Sequence, residues 1–451
     1  MSAVCKTWGR VWRFSQTGIW QTNQHPIPQA IIALLGEFAA LIKGPWRLRL
    51  GSAEFFAARC GVCDDGAQLG DSDCFRLSSQ GKCVFSGRSG VRYLVSCGWK
   101  SYPSILGEFE DCKSYTSQGD MSDPTNTNAR LGVLDGWRAI SILLVLAAHL
   151  LPLGPKFLRL NEAAAAMGMA LFFTLSGFLI TRLLRKDPRV GAFLIKRFFR
   201  IIPLAWLGMA VVLLGMETSG SVYLSHFFFY ANLPKITLVP GTSHLWSLCV
   251  EMQFYVGIAI ATYLLRNRAL FVLPMCCLAV TGYRVYAEAY IDIVTIRRVD
   301  EILAGCVLAL IYEGKLGTRI PAWLKKTNTY FALVFLAFAS HPQSGWLNYI
   351  RPYAAAFVVG TTLYGANETV KKLLESRTMS YIATVSYALY VIHGVLVHTW
   401  LGAGEQFEKY AKRPLLLAAT FILAHFSTFY MESRFIALGK RLARRQSPNP
   451  K

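Results

Sequence analysis

The sequence predicts an all-α fold, a polytopic transmembrane helical bundle of about ten spans with both termini cytoplasmic. Three observations predict it. Hydrophobic residues make up 53% of the 451 and charged residues only 16%. Apolar runs near the length of about twenty residues that a hydrocarbon core demands recur along the chain. The lysines and arginines gather in short loops between those runs. A formal charge of +21 would by itself suit nucleic acid, but this distribution is the positive-inside pattern, so no nucleic-acid partner is expected. No cleavable signal peptide is read at Met1, because the apolar run from Ala30 to Ile42 contains Glu37 and is too short to span. Targeting then falls to the first true span.

Residues 1–120 do not match the rest. They hold seven of the eleven cysteines, at positions 5, 60, 63, 74, 83, 97 and 112, in a mixture of Ser, Gly, Trp and Arg without sustained periodicity. Cys60-Gly-Val-Cys63 has zinc-like spacing, but no second pair follows and the only nearby histidine is His25, so no metal is expected. A disulfide-bonded outer domain would leave one cysteine odd. The preferred reading is that Met121-Ser-Asp-Pro is a polar start leading into the first span. Residues 1–120 are then a doubtful extension from a misassigned start, 121–439 the membrane domain and 440–451 a basic cytoplasmic tail.

Ten apolar segments follow, at about 137–153, 163–184, 198–216, 244–265, 269–288, 299–313, 327–341, 351–366, 379–401 and 413–431. The short ones rely on tilt or burial. Val222 to Val239 is apolar too, but it contains His226, Asn232, Pro234 and Pro240 and reads as an outer re-entrant or interfacial piece. Charge arbitrates between ten spans and eleven. Loops 182–200, 266–268, 314–326 and 371–377 and the tail from Lys440 are all basic, and ten spans put every one of them inside.

Polar residues within these spans are the candidate machinery, since an ionisable group in a bilayer costs about 3 kcal/mol or more and tends to line a cavity or reaction path. Arg138 and His149 lie eleven residues apart in an otherwise almost wholly apolar stretch. Eleven steps of about 100° bring them to one helix face, roughly 16 Å apart along the axis. His149 suits a general base, because imidazole titrates near neutrality; a buried histidine bonded to a neighbouring helix is the competing reading. Arg138 would polarise a carbonyl or hold a phosphate, or else snorkel to the interface. Arg197 and Arg200 share a face where paired guanidinium forks suit phosphate, although simple charge anchoring competes. His244 and Glu251 are seven apart on one face, with Glu251 the deeper. Arg298, Asp300 and Glu301 open another span and would meet a substrate or one another. Ser386, Tyr390 and His393 form a polar stripe, in which His393 is a second acid/base group or a satisfied core histidine. Ser176 beside Gly177 reads as a small-residue helix contact rather than a nucleophile. No Gly-Lys-Ser or Gly-Lys-Thr phosphate loop occurs.

Taken in order, Leu134-Asp135-Gly136-Trp137-Arg138-Ala139, His149, Phe172-Phe173-Thr174-Leu175-Ser176-Gly177-Phe178, Arg197-Phe-Phe-Arg200-Ile-Ile-Pro203, His244-Leu-Trp246-Ser247 through Glu251 to Tyr255, and Ser386-Tyr387-Ala-Leu-Tyr390-Val-Ile-His393 carry a resemblance. From about Leu131 onward the chain resembles the acyltransferase-3 family of integral membrane O-acyltransferases. It departs at Trp137, where the family usually has a smaller aliphatic residue, and at Met252, where a second Glu is common.

The resemblance implies a donor substrate, acyl-CoA and most simply acetyl-CoA, taken from the cytosol, and an acceptor hydroxyl on a carbohydrate such as a surface polysaccharide or its lipid-linked precursor. It supports catalytic roles for His149 and Arg138 and CoA contacts for Arg197 and Arg200; from their own placement in the spans, Glu251 is assigned to catalysis and His244, Arg298, Asp300 and His393 to acceptor contacts, against the structural alternatives already given. A covalent acyl-histidine is a variant of the same chemistry. Some relatives carry a fused SGNH hydrolase-like domain; this chain ends soon after its last span and is expected to be of the stand-alone kind. The expected location is the plasma (inner) membrane of a bacterium. The rival reading is a transporter or flippase, for which intramembrane Arg, His and Glu would also serve, but no pair of corresponding Gly/Pro-broken segments is found in two halves.

Overall fold

In the computed structural model the described residues are 132–445, apart from 234–236 and 366, together with the backbone of 75–78, 82–86 and 92–96. The chain divides into two compact units, Ala40–Ala129 and a larger one formed by Met1–Ala39 with Arg130–Lys451. In the smaller unit β1 (Phe75–Ser78), β2 (Lys82–Ser86) and β3 (Arg92–Ser96) form an antiparallel sheet in chain order, with Phe75 opposite Phe85 and Cys83 opposite Val95. The all-α expectation therefore holds for the larger unit only. Phe75-Arg76-Leu77-Ser78 alternates, but Lys82–Ser86 and Arg92–Ser96 carry continuous apolar triplets, so no sustained period marks the three strands in the sequence. Cys60 and Cys63, which carry the zinc-like spacing, lie outside the described residues.

The larger unit is helical throughout its described elements. Six stretches are long and apolar enough to cross a membrane: Gly132–Leu150, Lys156–Lys186, Val190–Leu214, Ser243–Leu265, Arg377–Val397 and Arg413–Arg445. Phe271–Tyr286 and Thr329–Ser340 are apolar but shorter. Each of the ten apolar segments read from the sequence carries a helix, yet some are brief: Asp300–Tyr312 has 13 residues, or about 20 Å of helix against roughly 30 Å of hydrocarbon. The helix within the apolar piece from Val222 covers only the 8 residues Gly220–Phe227, far short of a span.

Five helices build the site: α1 (Gly132–Leu150), α2 (Leu160–Lys186), α3 (Val190–Leu214), α4 (Trp246–Leu265) and α5 (Arg377–Val397). Two others carry buried charge, α6 (Ala269–Tyr286) and α7 (Asp300–Tyr312), as does Arg351 at the start of α8 (Arg351–Gly365). Helices in lipid gain little from hydrophobicity and must associate through close packing and polar contacts. α2 and α7 do so through glycine: a Cβ placed on Gly177 would lie 1.9 Å from the Ile302 carbonyl oxygen, and one on Gly305 would lie 1.9 Å from that of Thr174. Their backbones touch with nothing between. On α1, Trp137 is fully buried and its indole donates to the Thr362 hydroxyl at 2.9 Å, which shows how this larger residue is accommodated.

The far end of α1 is fastened as well. Asn161, in the first turn of α2, donates its amide to the carbonyl oxygens of Ala148 and Leu151, each at 2.7 Å. These are carbonyls that a helix end would otherwise leave open, and they flank His149. The amino end of α5 is capped by Ser376, whose hydroxyl accepts from the Met379 backbone at 3.3 Å.

Candidate active site

A cavity opens along one face of α1. Arg138, Ser141, Ile142 and Val145 line it, at the spacing that repeats one helical face, together with Arg197 and Arg200 from α3 and Glu251 and Tyr255 from α4. Three arginines from two helices thus converge on one carboxylate. Among the described residues no ion pair holds any of the three arginines. Arg197 instead lies over the Tyr255 ring, 5.6 Å from its centre, and over Phe193 at 5.9 Å. The buried Glu251 accepts from the Ser176 hydroxyl at 2.5 Å, and the Tyr255 hydroxyl donates to the same oxygen. Gly177 makes the helix contact while the neighbouring Ser176 turns its hydroxyl to Glu251. The result is a recess of net positive charge, suited to an anion with several oxygens.

His149 continues the Arg138 face but stands one turn beyond Val145, outside the lining of this cavity. Its Nδ1 is 3.0 Å from Nε2 of His393 on α5. His393 is buried, with its own Nδ1 donating to the Leu389 carbonyl at 3.1 Å. His244 meets His393 edge to face, ring centres 5.0 Å apart, and donates from Nε2 to the Val391 carbonyl at 3.3 Å. Gly394 makes room for it: a Cβ there would fall 2.0 Å from the His244 ring. Tyr390 joins the two regions. It lines the cavity, its ring lies 5.7 Å from that of His393, and its hydroxyl bonds Ser247 at 2.6 Å and donates to the His244 carbonyl. Among the described residues no set of three or more His, Cys, Asp or Glu side chains is arranged to hold a metal.

Arg298, Asp300 and Glu301 meet one another and two arginines that the sequence reading did not single out. Asp300 pairs with Arg284 at 2.5 Å; Glu301 pairs with Arg351 at 2.8 Å and with Arg298 at 3.4 Å. All five side chains are buried, and Arg298 lies over the Trp246 ring at 5.3 Å.

Comparison with known proteins bears on this arrangement. A family profile described as an acyltransferase domain, of the acyltransferase-3 type, matches residues 131–431. The chain belongs to the acyltransferase-3 family. The matched stretch contains every side chain of the cavity and of the histidine group. Peptidoglycan O-acetyltransferase OatA of Listeria monocytogenes is 25% identical over 352 residues, 66% of this chain and 55% of the relative. A Staphylococcus aureus protein provisionally named an O-acetyltransferase is 24% identical over 356 residues, 67% of this chain and 56% of its own. YrhL of Bacillus subtilis, provisionally a peptidoglycan O-acetyltransferase, is 28% identical over 316 residues, 58% of this chain and 47% of its own. The chain spans about half the length of these relatives. No solved structure matches it.

Within the family domain, the structure brings Arg138, Arg197, Arg200 and Glu251 to one cavity and His149, His244 and His393 to one group beyond it. It holds Arg298 and Asp300 in the buried ionic cluster. Glu251 bonds Ser176 and Tyr255 rather than an imidazole. Tyr255 was legible as an i, i+4 partner of Glu251. Arg284 and Arg351 had a weaker signal, namely that two adjacent carboxylates at the mouth of an apolar helix call for more than one cation.

Proposed function

We propose that this chain is an integral membrane O-acyltransferase that moves an acyl group, acetyl in the simplest case, from cytosolic acyl-CoA to a hydroxyl of a carbohydrate such as a surface polysaccharide or its lipid-linked precursor. The observation that carries the reading is the cavity on the Arg138 face of α1, lined by three arginines that have no ion-pair partner among the described residues and running to within one turn of His149. CoA has its phosphates at one end and its thioester at the end of a long, narrow arm. Arg197 and Arg200 grip the phosphates through their planar forks. Because Arg138 shares their recess, its position supports a phosphate-holding role over polarising a carbonyl near His149. Glu251, held by Ser176 and Tyr255, tempers the repulsion among the three cations. The arm then extends along Ile142 and Val145 toward the histidines.

There His149 takes the proton from the acceptor hydroxyl as its oxygen attacks the thioester carbonyl; the carbon–sulfur bond breaks and the leaving thiolate takes the proton back from the imidazolium. His244 faces the same group. Arg298 and Asp300 shape the acceptor side through the buried ionic cluster. Ten spans with both termini in the cytoplasm suit this reading, because the amino-terminal part of α3 that bears Arg197 and Arg200 then faces the compartment that holds acyl-CoA. The bacterial relatives named for peptidoglycan O-acetylation favour a cell-envelope glycan as acceptor and the plasma membrane as location.

The test is mass spectrometry of surface glycans from cells with and without the chain, paired with transfer from labelled acetyl-CoA in isolated membranes. Loss of acyl mass increments in cells and label incorporation in membranes are the expected results. Unaltered glycans together with no incorporation would overturn the reading and favour a transporter.

A further inference from the structure

Hydrogen-bond geometry fixes where the protons sit on two of the histidines. A carbonyl oxygen can only accept, so the 3.1 Å contact between His393 Nδ1 and the Leu389 carbonyl places a proton on that Nδ1. In the neutral ring the other nitrogen, Nε2, then carries a lone pair. That lone pair is 3.0 Å from Nδ1 of His149 and calls for an N–H there. The two rings are within 9° of parallel and their centres lie 5.2 Å apart, about the N···N separation plus two ring radii, so the bond runs edge to edge along the ring planes. With its proton on Nδ1, His149 has its remaining lone pair on Nε2. Among the described residues nothing bonds that atom, and His149 lies exposed at the end of α1.

We propose that His393 is a positioning residue that holds His149 in the Nδ1–H tautomer, so that Nε2 is the atom that receives the acceptor's proton. A free imidazole exchanges its proton between the two nitrogens and turns about its side-chain bonds; a base aimed at one hydroxyl can afford neither. The chain supplies the orienting bond from a helix backbone through a second imidazole, where other sites use a carboxylate. His244 braces the arrangement: it lies against Gly394, is fixed by the Val391 carbonyl, and meets the His393 ring edge to face. Asn161 steadies the turn of α1 that carries His149 from the other side.

The proposal rests on His149 acting as the base, and its test separates the two ideas. The full-length chain, in membranes, is compared as His393→Gln, whose amide oxygen can still accept from His149, and as His393→Phe, which fills the space but cannot accept. In the Phe variant kcat should fall about tenfold or more with the acyl-CoA KM unchanged, while the Gln variant keeps most of the rate. Nitrogen NMR of histidine-labelled protein reads the tautomer directly, with the His149 signals assigned by their loss in His149→Gln. The unaltered protein should show His149 protonated at Nδ1, and the Phe variant should lose that preference. Wild-type kcat in the Phe variant, or a His149 proton on Nε2 in the unaltered protein, overturns the proposal. So does a Gln variant as impaired as the Phe one with the tautomer preserved, because His393 would then be transferring a proton itself. An active His149→Ala would sink the base assignment instead. If the Phe variant does not accumulate, the tautomer in the unaltered protein decides.

Discussion

His149 on α1 and His393 on α5 share a hydrogen bond of 3.0 Å across 244 residues of sequence, and it ties the exposed end of one helix to a buried side chain in the last turns of another. Since nothing else described bonds the His149 ring, that side chain is available for chemistry. His149→Ala should lower acyl transfer by about 100- to 10,000-fold, the usual loss for a general base, with membrane insertion intact. Transfer from labelled acyl-CoA in membranes matched for protein content measures it. Near-normal transfer by the alanine variant would refute the assignment.

Lysine in place of Arg197 and Arg200 separates phosphate recognition from charge anchoring. The substitution keeps the positive charge that orients this end of α3 and removes the paired fork. Losing such charge-assisted bonds costs about 1.5–3 kcal/mol, so half-saturation by acyl-CoA should rise roughly ten- to a hundred-fold in the double variant. Tag accessibility controls for orientation. An unchanged acyl-CoA dependence would move the donor site elsewhere.

Arg351→Ala removes one partner of a fully buried pair and leaves Glu301 with only Arg298, at 3.4 Å. Breaking a buried pair from one side costs about 3–5 kcal/mol. Thermal unfolding in detergent should show a loss, smaller in Arg351→Met, which fills more of the vacated volume while Glu301 keeps its pair with Arg298. Equal stability of the single variant and the parent would show that the cluster does not hold α7 and α8 together.

Gly305→Ala inserts a methyl group where the Thr174 carbonyl oxygen already lies 1.9 Å from a Cβ position. Overpacking of this kind costs about 1–3 kcal/mol. The melting temperature should drop, and activity with it, because α2 carries Ser176. A neutral substitution would mean that the helices part without consequence for the cavity.

Deletion of residues 1–120, with translation from Met121, should leave acyl transfer intact, since the family domain begins at residue 131. A stable, inserted and inactive truncation would show instead that the cysteine-bearing stretch takes part in activity.

The helices were legible because apolar length is written into composition, and each of the ten segments carries one. What the sequence hides is convergence. Arg138 and Arg197 are visible separately as charges on apolar helices, but only the packing of α1 on its neighbours brings them to one recess. The His149–His393 bond is hidden for the same reason: spacing gives each histidine its face, and no local pattern says which faces meet. Arg284 and Arg351 each look like an interfacial arginine at a helix end, and their burial depends wholly on Asp300 and Glu301 arriving from a third element.

That last dependence reaches into how the protein is made. Arg284 belongs to α6, Asp300 and Glu301 to α7 and Arg351 to α8, so each of the three helices leaves the ribosome with a charge that the bilayer resists. None has an oily surface complete enough to dissolve alone with that group buried. Their charges are matched only once the three helices have found one another, so burial of these groups and assembly of this part of the chain go together. α7 can give both its carboxylates their partners only after α8 has been synthesised, because Arg351 follows Glu301 by fifty residues.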